Sequence, residues 1–344
     1  MQRRIALIGL GMAVTPHAKS LIDLSDRVQV VAAMSPSAAR REGFAARFGF
    51  PTTDSLEAIL ADPSITAVGV LTPPNTHLEI VERLAQSGKH VLLEKPLEIT
   101  GERALKLVEA GEKAGVTIGV VLQHRFRAAS ERLAAILAQG GLGAIVSCST
   151  RIPLWRPQSY YDEPGRGSKG RDGGGVLLSQ GIHTLDQMLS LAGPIDEVCG
   201  YALTSAVHRM ETEDLACHAV RYANGAVGII EATTAAYPGA AAVIDFIGSE
   251  ATASLTGDTL QVRRHDGTQE KFSGEKPAVG GSGADPMDFP HDHHRAVWRD
   301  FLDALDEGHS PRVSAREALK VHRLIDALIE AGASDRKVKV ANSK

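Results

Sequence analysis

Residues 4–14 read Arg4-Ile-Ala-Leu-Ile-Gly9-Leu-Gly11-Met-Ala-Val14, an apolar run that ends in two glycines and continues into a helical pattern. Glycines at the first two positions of a G-x-G-x-x-G turn permit a tight bend. They also let backbone N–H groups contact a pyrophosphate at the N-terminus of the next helix. The motif is weak alone, and the strand before it and the helix after it make it more specific. Val14 replaces the third glycine. The stretch therefore predicts a dinucleotide-binding turn in which Gly9 and Gly11 contact the pyrophosphate.

Short apolar runs alternate with helical patterns through the first third of the chain. The runs are mostly aliphatic or β-branched, which is typical of strands buried on both faces. They lie at 4–8, 28–33, 67–71, 90–93 and 117–122. The helical patterns lie at 16–24, 37–48, 56–60, 77–86 and 102–114. This alternation predicts a parallel, doubly wound α/β sheet.

The pattern changes after residue 123. A helical stretch at 129–137 precedes a hairpin signal at 217–232, with Asn224-Gly225 at its turn. Further strands are predicted at 243–248 and 259–264, a loop rich in glycine and acid at 277–292, and helices at 295–307 and 314–331. We predict two domains: an N-terminal Rossmann dinucleotide-binding domain at 1–123, and an α+β domain with a large, mainly antiparallel sheet at 124–344. An alternative is that the C-terminal helices pack back on the first domain.

Composition excludes several classes of protein. The chain has 344 residues and a net charge of -4, from 37 basic and 41 acidic side chains, so no basic excess exists to bind nucleic acid or an anionic membrane. Three cysteines without C-x-x-C spacing predict a reduced, cytoplasmic protein with no disulfide framework. His291, His293 and His294 are nearly adjacent and match no zinc spacing, so we expect no metal.

The residues after the second predicted strand bear on the choice of cofactor. A carboxylate at this position would bind the ribose 2′-hydroxyl of NAD, but the chain has Ser35 there, followed by Arg40 and Arg41. A hydroxyl and a guanidinium suit a 2′-phosphate. We therefore predict NADP or NAD, with NADP slightly preferred, and place Ser35 and Arg40 at the adenosine ribose. The alternative is that Ser35 starts a turn and the arginines are solvated.

Lys95 is a candidate for chemistry because of its position. Ligands of open α/β sheets bind at the carboxyl ends of the strands, and Lys95 follows the strand at 90–93. An ion pair of Lys95 with Glu94 is the alternative.

The motifs together resemble the family of glucose–fructose oxidoreductase, inositol dehydrogenase and rhizopine-catabolism proteins (Gfo/Idh/MocA). The resemblance covers nearly the whole chain in order: the opening G-x-G, Thr-Pro-Pro-x-x-His at 72–77, Glu-Lys-Pro at 94–96, and Gly-Gly-Gly-Val-Leu-Leu-Ser-Gln-Gly-Ile-His-Thr-Leu-Asp at 173–186. It implies an NAD(P)-dependent oxidoreductase acting on a secondary hydroxyl or ketone of a sugar, sugar acid or cyclitol. The resemblance then makes Lys95 the catalytic lysine and His183 the general acid/base, and a buried structural role for His183 is the alternative. Hydride transfer from a secondary alcohol needs a group that exchanges the hydroxyl proton, and histidine titrates in the useful range, while a lysine stabilises the developing alkoxide. The cofactor contacts implied are Gly9, Gly11, Met12, Ser35, Arg40, Thr72, Pro73, Asn75, His77, Glu94 and Lys95.

Ser179 departs from the family pattern. Members of the inositol dehydrogenase type carry an aspartate at this position, four residues before the histidine. If a helix begins near Leu178, Ser179, His183 and Asp186 share one face. We therefore expect Ser179 and Asp186 to support His183, with Asp186 orienting the ring; an aspartate that faces solvent is the alternative. Ser179 also keeps open a dinucleotide-binding regulator or sensor on the same scaffold. A dehydrogenase of a non-sugar alcohol such as a dihydrodiol is a third hypothesis.

Basic and aromatic side chains precede this motif. Residues 151–171 contain five basic side chains and only two acids, Asp162 and Glu163. Such a composition suits an anionic sugar, for example a uronate or a phosphorylated or nucleotide-linked sugar, although an exposed positive loop is equally consistent with it. The predicted substrate contacts are Lys95, His124, Arg125, Trp155, Arg156, Arg166 and His183. The resemblance further implies a homodimer or homotetramer, built through the exposed sheet face.

Overall fold

The structure is a computed structural model that describes residues 2–274, 290–334 and 336–341. Nearly all of the loop predicted at 277–292 lies outside the described residues. Contacts divide the chain into two units, Met1–Gln123 with Pro290–Leu319, and His124–Phe289 with Lys320–Lys344. The functional division into 1–123 and 124–344 stays a prediction.

The regular elements are numbered in chain order. The strands are β1 (Arg3–Ile8), β2 (Val28–Met34), β3 (Thr52–Thr53), β4 (Ala67–Val70), β5 (His90–Leu93), β6 (Ile118–Val120), β7 (Ile145–Pro153), β8 (Ile195–Leu203), β9 (Leu215–Tyr222), β10 (Val227–Thr233), β11 (Val243–Gly248), β12 (Ala251–Thr256), β13 (Thr259–Arg264), β14 (Gln269–Ser273) and β15 (Val338–Lys339). The helices are α1 (Val14–Asp23), α2 (Ala38–Phe48), α3 (Leu56–Ala61), α4 (His77–Gln86), α5 (Gly101–Ala114), α6 (Ala128–Ala138), α7 (Gln158–Tyr161), α8 (Ile182–Ala192), α9 (Asp292–Glu307) and α10 (Ala315–Ser334).

A parallel sheet forms the centre of the first unit. Its strand order is β3-β2-β1-β4-β5-β6, which confirms the predicted doubly wound α/β fold. The aliphatic side chains of β1 are buried because helices cover both faces of such a sheet. The order reverses between β1 and β4, and ligands bind outside the carboxyl ends of the strands at such a reversal. Helix α9 packs on α1 and buries Trp298 completely.

A mixed sheet of nine strands forms the centre of the second unit. The order is β14-β13-β12-β11-β7-β10-β9-β8-β15. Every neighbouring pair is antiparallel except β7 with β10, which confirms the mainly antiparallel sheet. The sequence analysis missed β7, β8, β12, β14 and β15. Large apolar side chains on the open face include Tyr201, Val227, Ile229 and Ile247. Among the described helices, none combines the length and the apolar composition needed to cross a bilayer.

Candidate active site

The turn after β1 has the geometry that a pyrophosphate needs. Gly9 has φ +101°, and a Cβ there would lie 2.7 Å from the carbonyl carbon of Leu71. Gly11 is unobstructed, since a Cβ on it would meet no heavy atom of the described residues within 4 Å. In the first turn of α1, Val14 donates its N–H to the Gly11 carbonyl oxygen at 3.3 Å and Pro16 has no N–H. Among the described residues no side chain caps this turn, which leaves the Thr15 N–H for an anion. The exposed Met12 side chain lies beside this open backbone. The residues present therefore fit a dinucleotide.

The two glycines give a matched pair of variants. Gly9→Ala is expected to lower the free energy of unfolding by about 1–3 kcal/mol, because a Cβ is strained at positive φ and collides with backbone. Gly11→Ala is expected to leave that free energy within about 0.5 kcal/mol and to weaken dinucleotide binding, because its methyl group occupies the open space. Urea unfolding and fluorescence titration with NADPH measure the two effects. A destabilised Gly11→Ala variant with unchanged affinity would contradict this assignment.

Ser35 and Arg40, at the turn after β2, differ in their exposure to solvent. Ser35 is buried, and its hydroxyl accepts a hydrogen bond from the N–H of Ser37 at 3.3 Å. The Ser37 hydroxyl caps α2 by accepting from the N–H of Arg40. Arg41 donates to the Ser35 carbonyl oxygen at 2.7 Å, which holds the turn. The Arg40 side chain is exposed. Of the two predicted ribose residues, Arg40 is thus the accessible one.

His77 joins the loop after β4 to the loop after β5. It is fully buried, with Nε2 2.9 Å from the Thr72 carbonyl oxygen and Nδ1 3.1 Å from that of Pro96. The Thr72 hydroxyl accepts from Thr76, while Pro73 is exposed and Asn75 half-buried. Burial lowers the pKa of His77. Because no part of its side chain is exposed, we expect His77 to position these loops and not to contact the cofactor itself.

Glu94 is buried directly before Lys95. One carboxylate oxygen accepts from Nε2 of His17 at 2.8 Å, and the other accepts from the backbone N–H of Lys95 at 3.1 Å. Burial on its own raises the pKa of Glu94, but the hydrogen bond from His17 is the largest of the causes that lower it, and the pKa lies below its usual range. Glu94 is therefore an ionised group that holds the backbone at Lys95. This makes a positioning role more consistent with the geometry than the predicted direct cofactor contact.

His17, Glu94 and His294 form a buried cluster that the sequence analysis missed. Their potential ligand atoms lie within 4.8 Å of one another, and burial lowers the pKa of His294 to about 3. However, the Trp298 indole N–H donates to Nδ1 of His17 at 3.0 Å. An indole nitrogen only donates, so Nδ1 accepts and the proton of neutral His17 lies on Nε2. His17 thus has no free lone pair for a metal, and the arrangement is a hydrogen-bond chain.

His183 lies in the second unit, in the first turn of α8. The preceding residues Leu177–Gly181 form a π-helical turn, a rare conformation that often occurs at functional sites. The half-buried His183 ring lies 5.1 Å from the His124 ring between centroids, at 34°. The Arg127 guanidinium contacts Nε2 of His124 at 2.7 Å. The structure therefore brings His183 and His124 together, as expected if both face the substrate.

Glu213 holds the backbone of the glycine-rich segment. Its carboxylate accepts from the N–H groups of Gly175 and Leu177, each at 3.0 Å, and its carbonyl oxygen accepts from Val176 at 2.8 Å. A Cβ on Gly175 would lie 1.7 Å from the Glu213 carbonyl oxygen, so glycine is required at this position. No spacing in the sequence connects residues 175 and 213. Glu213 therefore positions the turn that leads to His183.

Asp186 and Ser179 both have hydrogen-bond partners that the sequence did not suggest. Asp186 accepts two hydrogen bonds from the Arg125 guanidinium, at 2.5 and 2.7 Å, and both side chains are largely buried. The Ser179 hydroxyl donates to the Gly174 carbonyl oxygen at 3.1 Å. The bidentate ion pair helps to fix α8, and it includes Arg125, which was predicted to bind substrate. That Asp186 orients the His183 ring stays a prediction.

A positive, aromatic cluster lies next to the π-helical turn. The guanidinium carbons of Arg156 and Arg166 lie 5.8 and 4.8 Å from the centre of the Tyr160 ring. The Tyr160 hydroxyl contacts Arg166 at 3.2 Å and Gln180, next to Ser179, at 3.5 Å. Arg156 is buried, and burial lowers the pKa of its guanidinium. Trp155 instead packs on exposed Tyr237, at 5.4 Å between ring centres. Arg166 also forms an ion pair with Glu163 at 3.2 Å, so the positive charge packed on Tyr160 comes from Arg156 and from a partly neutralised Arg166.

Comparisons with known proteins agree with this geometry. Residues 3–122 match the family model described as "Oxidoreductase family, NAD-binding Rossmann fold", and residues 130–254 match the "GFO/IDH/MocA C-terminal domain". Levoglucosan dehydrogenase of Pseudarthrobacter phenanthrenivorans is 26% identical, with 89% of this chain and 88% of that protein aligned. D-xylose 1-dehydrogenase (NADP(+)) 2 of Haloferax volcanii is 27% identical, over 88% and 89%. The WlbA dehydrogenase of Bordetella pertussis, solved with NADH and UDP-GlcNAcA, is 26% identical over the full length of both chains, with a TM-score of 0.85.

Proposed function

The chain belongs to the Gfo/Idh/MocA family of NAD-binding oxidoreductases, and from this premise we propose that it oxidises a secondary hydroxyl, or reduces the corresponding ketone, of an anionic sugar derivative. Relatives named as dehydrogenases of levoglucosan and D-xylose support a sugar substrate. The observation that carries the anionic class is the pair of guanidiniums, Arg156 and Arg166, packed on Tyr160 beside the π-helical turn. Guanidinium groups bind carboxylates and phosphates through charge-assisted hydrogen bonds.

The proposed roles of the residues follow from their chemistry. When bound, the nicotinamide supplies or accepts the hydride. Gly9 and Gly11 hold the pyrophosphate against exposed backbone N–H groups. Lys95 donates a hydrogen bond to the substrate oxygen and stabilises negative charge on it. His183 takes the hydroxyl proton during oxidation and returns it during reduction. Because the Ser179 hydroxyl already donates to a carbonyl oxygen, we assign it no proton transfer.

A substrate panel tests the proposal. Uronates, sugar phosphates and nucleotide sugars are compared with neutral aldoses, polyols and dihydrodiols, each with NAD and NADP, by following NAD(P)H absorbance. We expect the highest kcat/KM in the anionic group, and an increase in KM of about tenfold or more in Arg166→Gln, since hydrogen bonds to charged groups are strong. Equal kcat/KM for neutral and anionic sugars would refute the anionic class. Tight dinucleotide binding without turnover of any compound would favour the sensor hypothesis.

Arg40 is proposed to select NADP. Its side chain is exposed at the start of α2, and no carboxylate ends β2 to repel a 2′-phosphate. Arg40→Ala is expected to raise the Kd for NADPH about tenfold and to change that for NADH by about twofold or less, because only NADPH carries the phosphate. Arg47→Ala, which removes another exposed arginine from the same helix, is the control. An equal loss for both cofactors, measured by fluorescence titration, would remove the argument for NADP.

Two further features are proposed from the second unit. The open sheet face presents Tyr201, Val227, Ile229 and Ile247, which supports a homodimer or homotetramer. Cys148, Cys199 and Cys217 are all free thiols, which supports a reduced, cytoplasmic environment. Analytical ultracentrifugation measures the oligomeric state directly.

A further inference from the structure

Trp298, His17 and Glu94 form a chain of hydrogen bonds that ends at the backbone of Lys95. Trp298 donates to Nδ1 of His17 at 3.0 Å, His17 donates from Nε2 to Glu94 at 2.8 Å, and Glu94 accepts from the N–H of Lys95 at 3.1 Å. The side chains of His17 and Trp298 are fully buried. The residues come from α1, α9 and the end of β5, so the chain exists only in the folded unit.

The direction of these bonds follows from the chemistry of indole. Because the Trp298 nitrogen is a donor only, His17 must accept at Nδ1 and carry its proton at Nε2. A second proton on Nδ1 would place two N–H groups against each other in a buried site. Trp298 therefore fixes the tautomer of His17, with the proton on Nε2. With this tautomer, His17 always presents a donor to Glu94.

The groups that face His17 support the same conclusion. Glu94 approaches Nε2, and the His294 ring meets the His17 ring edge-on, at 5.1 Å between centroids. Burial holds the pKa of His294 at about 3, so His294 is neutral at physiological pH. The ionised Glu94 carboxylate therefore contacts His17 at Nε2, and it interacts electrostatically with Lys95.

We propose that Trp298 and His17 are positioning residues for Lys95: Trp298 fixes the tautomer of His17, and His17 holds the Glu94 carboxylate that orients the Lys95 backbone. The inference rests on the proposed role of Lys95 in the reaction. Neither residue contacts the reacting atoms, and both act through Glu94. Without the indole donor, nothing fixes which ring nitrogen of His17 carries the proton, and the Glu94 carboxylate loses its fixed partner.

The tautomer is measured on the unmodified protein, without substrate, by ¹⁵N NMR of the histidine rings. We expect His17 to show an unprotonated Nδ1 and a protonated Nε2. In Trp298→Phe, which keeps an aromatic ring but lacks the N–H, we expect the tautomer of His17 with the proton on Nδ1 to appear as well. A wild-type His17 protonated at Nδ1 overturns the proposal.

Kinetics test whether the chain acts on Lys95. Trp298→Phe is expected to lower kcat about tenfold, while KM for the dinucleotide changes by about twofold or less. Phe301→Leu is the matched control, because Phe301 packs on Trp298 from the same helix without a hydrogen bond. It should leave kcat within about twofold of the wild type. A kcat of Trp298→Phe as high as that of Phe301→Leu contradicts the proposal.

A conservative replacement separates positioning from packing. His17→Gln offers an amide oxygen to Trp298 and an amide N–H to Glu94, whereas His17→Leu offers neither. We expect kcat of His17→Gln to exceed that of His17→Leu by about threefold or more. Equal losses in the two variants overturn the proposal. A fully active Lys95 variant would refute the proposed function, and the NMR result for His17 would still stand on its own.

Discussion

Replacing Lys95 with methionine is expected to lower kcat by about 100- to 1,000-fold, because the ammonium that stabilises negative charge on the substrate oxygen is lost. Methionine keeps most of the length of the side chain. The Glu94 carboxylate binds the backbone N–H of residue 95, which the substitution does not change. We therefore expect the Kd for the dinucleotide to change by about threefold or less.

Lys89 offers the control for this variant. It lies just before β5, buried, and its ammonium donates to the carbonyl oxygens of Asp62 and Ile65 at 2.7 and 3.0 Å. Lys89→Met should lower the free energy of unfolding by about 1–3 kcal/mol and leave kcat of the folded protein nearly unchanged. Stopped-flow turnover and fluorescence titration measure the Lys95 variant. A kcat of Lys95→Met within about twofold of the wild type would refute its catalytic role.

Removal of the His183 imidazole is expected to lower kcat by about 100- to 10,000-fold, the usual range for a general acid/base. The backbone at this position is held independently by Glu213 and by the bidentate Arg125–Asp186 ion pair. His183→Ala should therefore fold normally. The pH profile of its kcat should lack one ionisation that the wild type shows, and added imidazole should restore part of the activity.

A second histidine of the same unit is the control. His218 is buried, and its Nε2 contacts the Leu328 carbonyl oxygen at 2.8 Å. His218→Gln keeps a donor for that oxygen and should leave the pH profile of kcat unchanged. If His183→Ala kept an unchanged pH profile and did not respond to imidazole, another group would have to transfer the proton.

The parallel half of the fold was predictable because its signals are local. Apolar runs at 67–71 and 90–93 correspond to β4 and β5. Strands buried on both faces are nearly continuous in apolar sequence. In the mixed sheet, β7 and β12 read Ile-Val-Ser-Cys-Ser-Thr-Arg-Ile-Pro and Ala-Thr-Ala-Ser-Leu-Thr, with small and polar residues on the open face. Such strands resemble loops until their neighbours in the sheet are known, because strand propensity depends on packing.

The candidate site divides in the same way. The residue types proposed for catalysis, Lys95 and His183, were identifiable from motifs and from position at the ends of predicted elements. The ion pair of Asp186 with Arg125 was not identifiable. Asp186 lies three residues after His183 along a predicted helix, and that spacing suggested His183 as its partner. The structure pairs Asp186 with Arg125, 61 residues away. A guanidinium donates to both carboxylate oxygens in one geometry, which a spacing rule along one helix does not consider.

The sequence by itself determined the family, the Rossmann turn and the residue types available for acid/base chemistry, because each depends on short-range patterns. Only the tertiary structure decided how these residues are held. His17 contacts Glu94, which is 77 residues away in the sequence, and Trp298, which is 281 residues away. The tautomer of His17 depends on an indole donor from a distant helix, and buried polar groups must find such partners because an unsatisfied one is costly. Long-range packing selects those partners, and no local pattern encodes them.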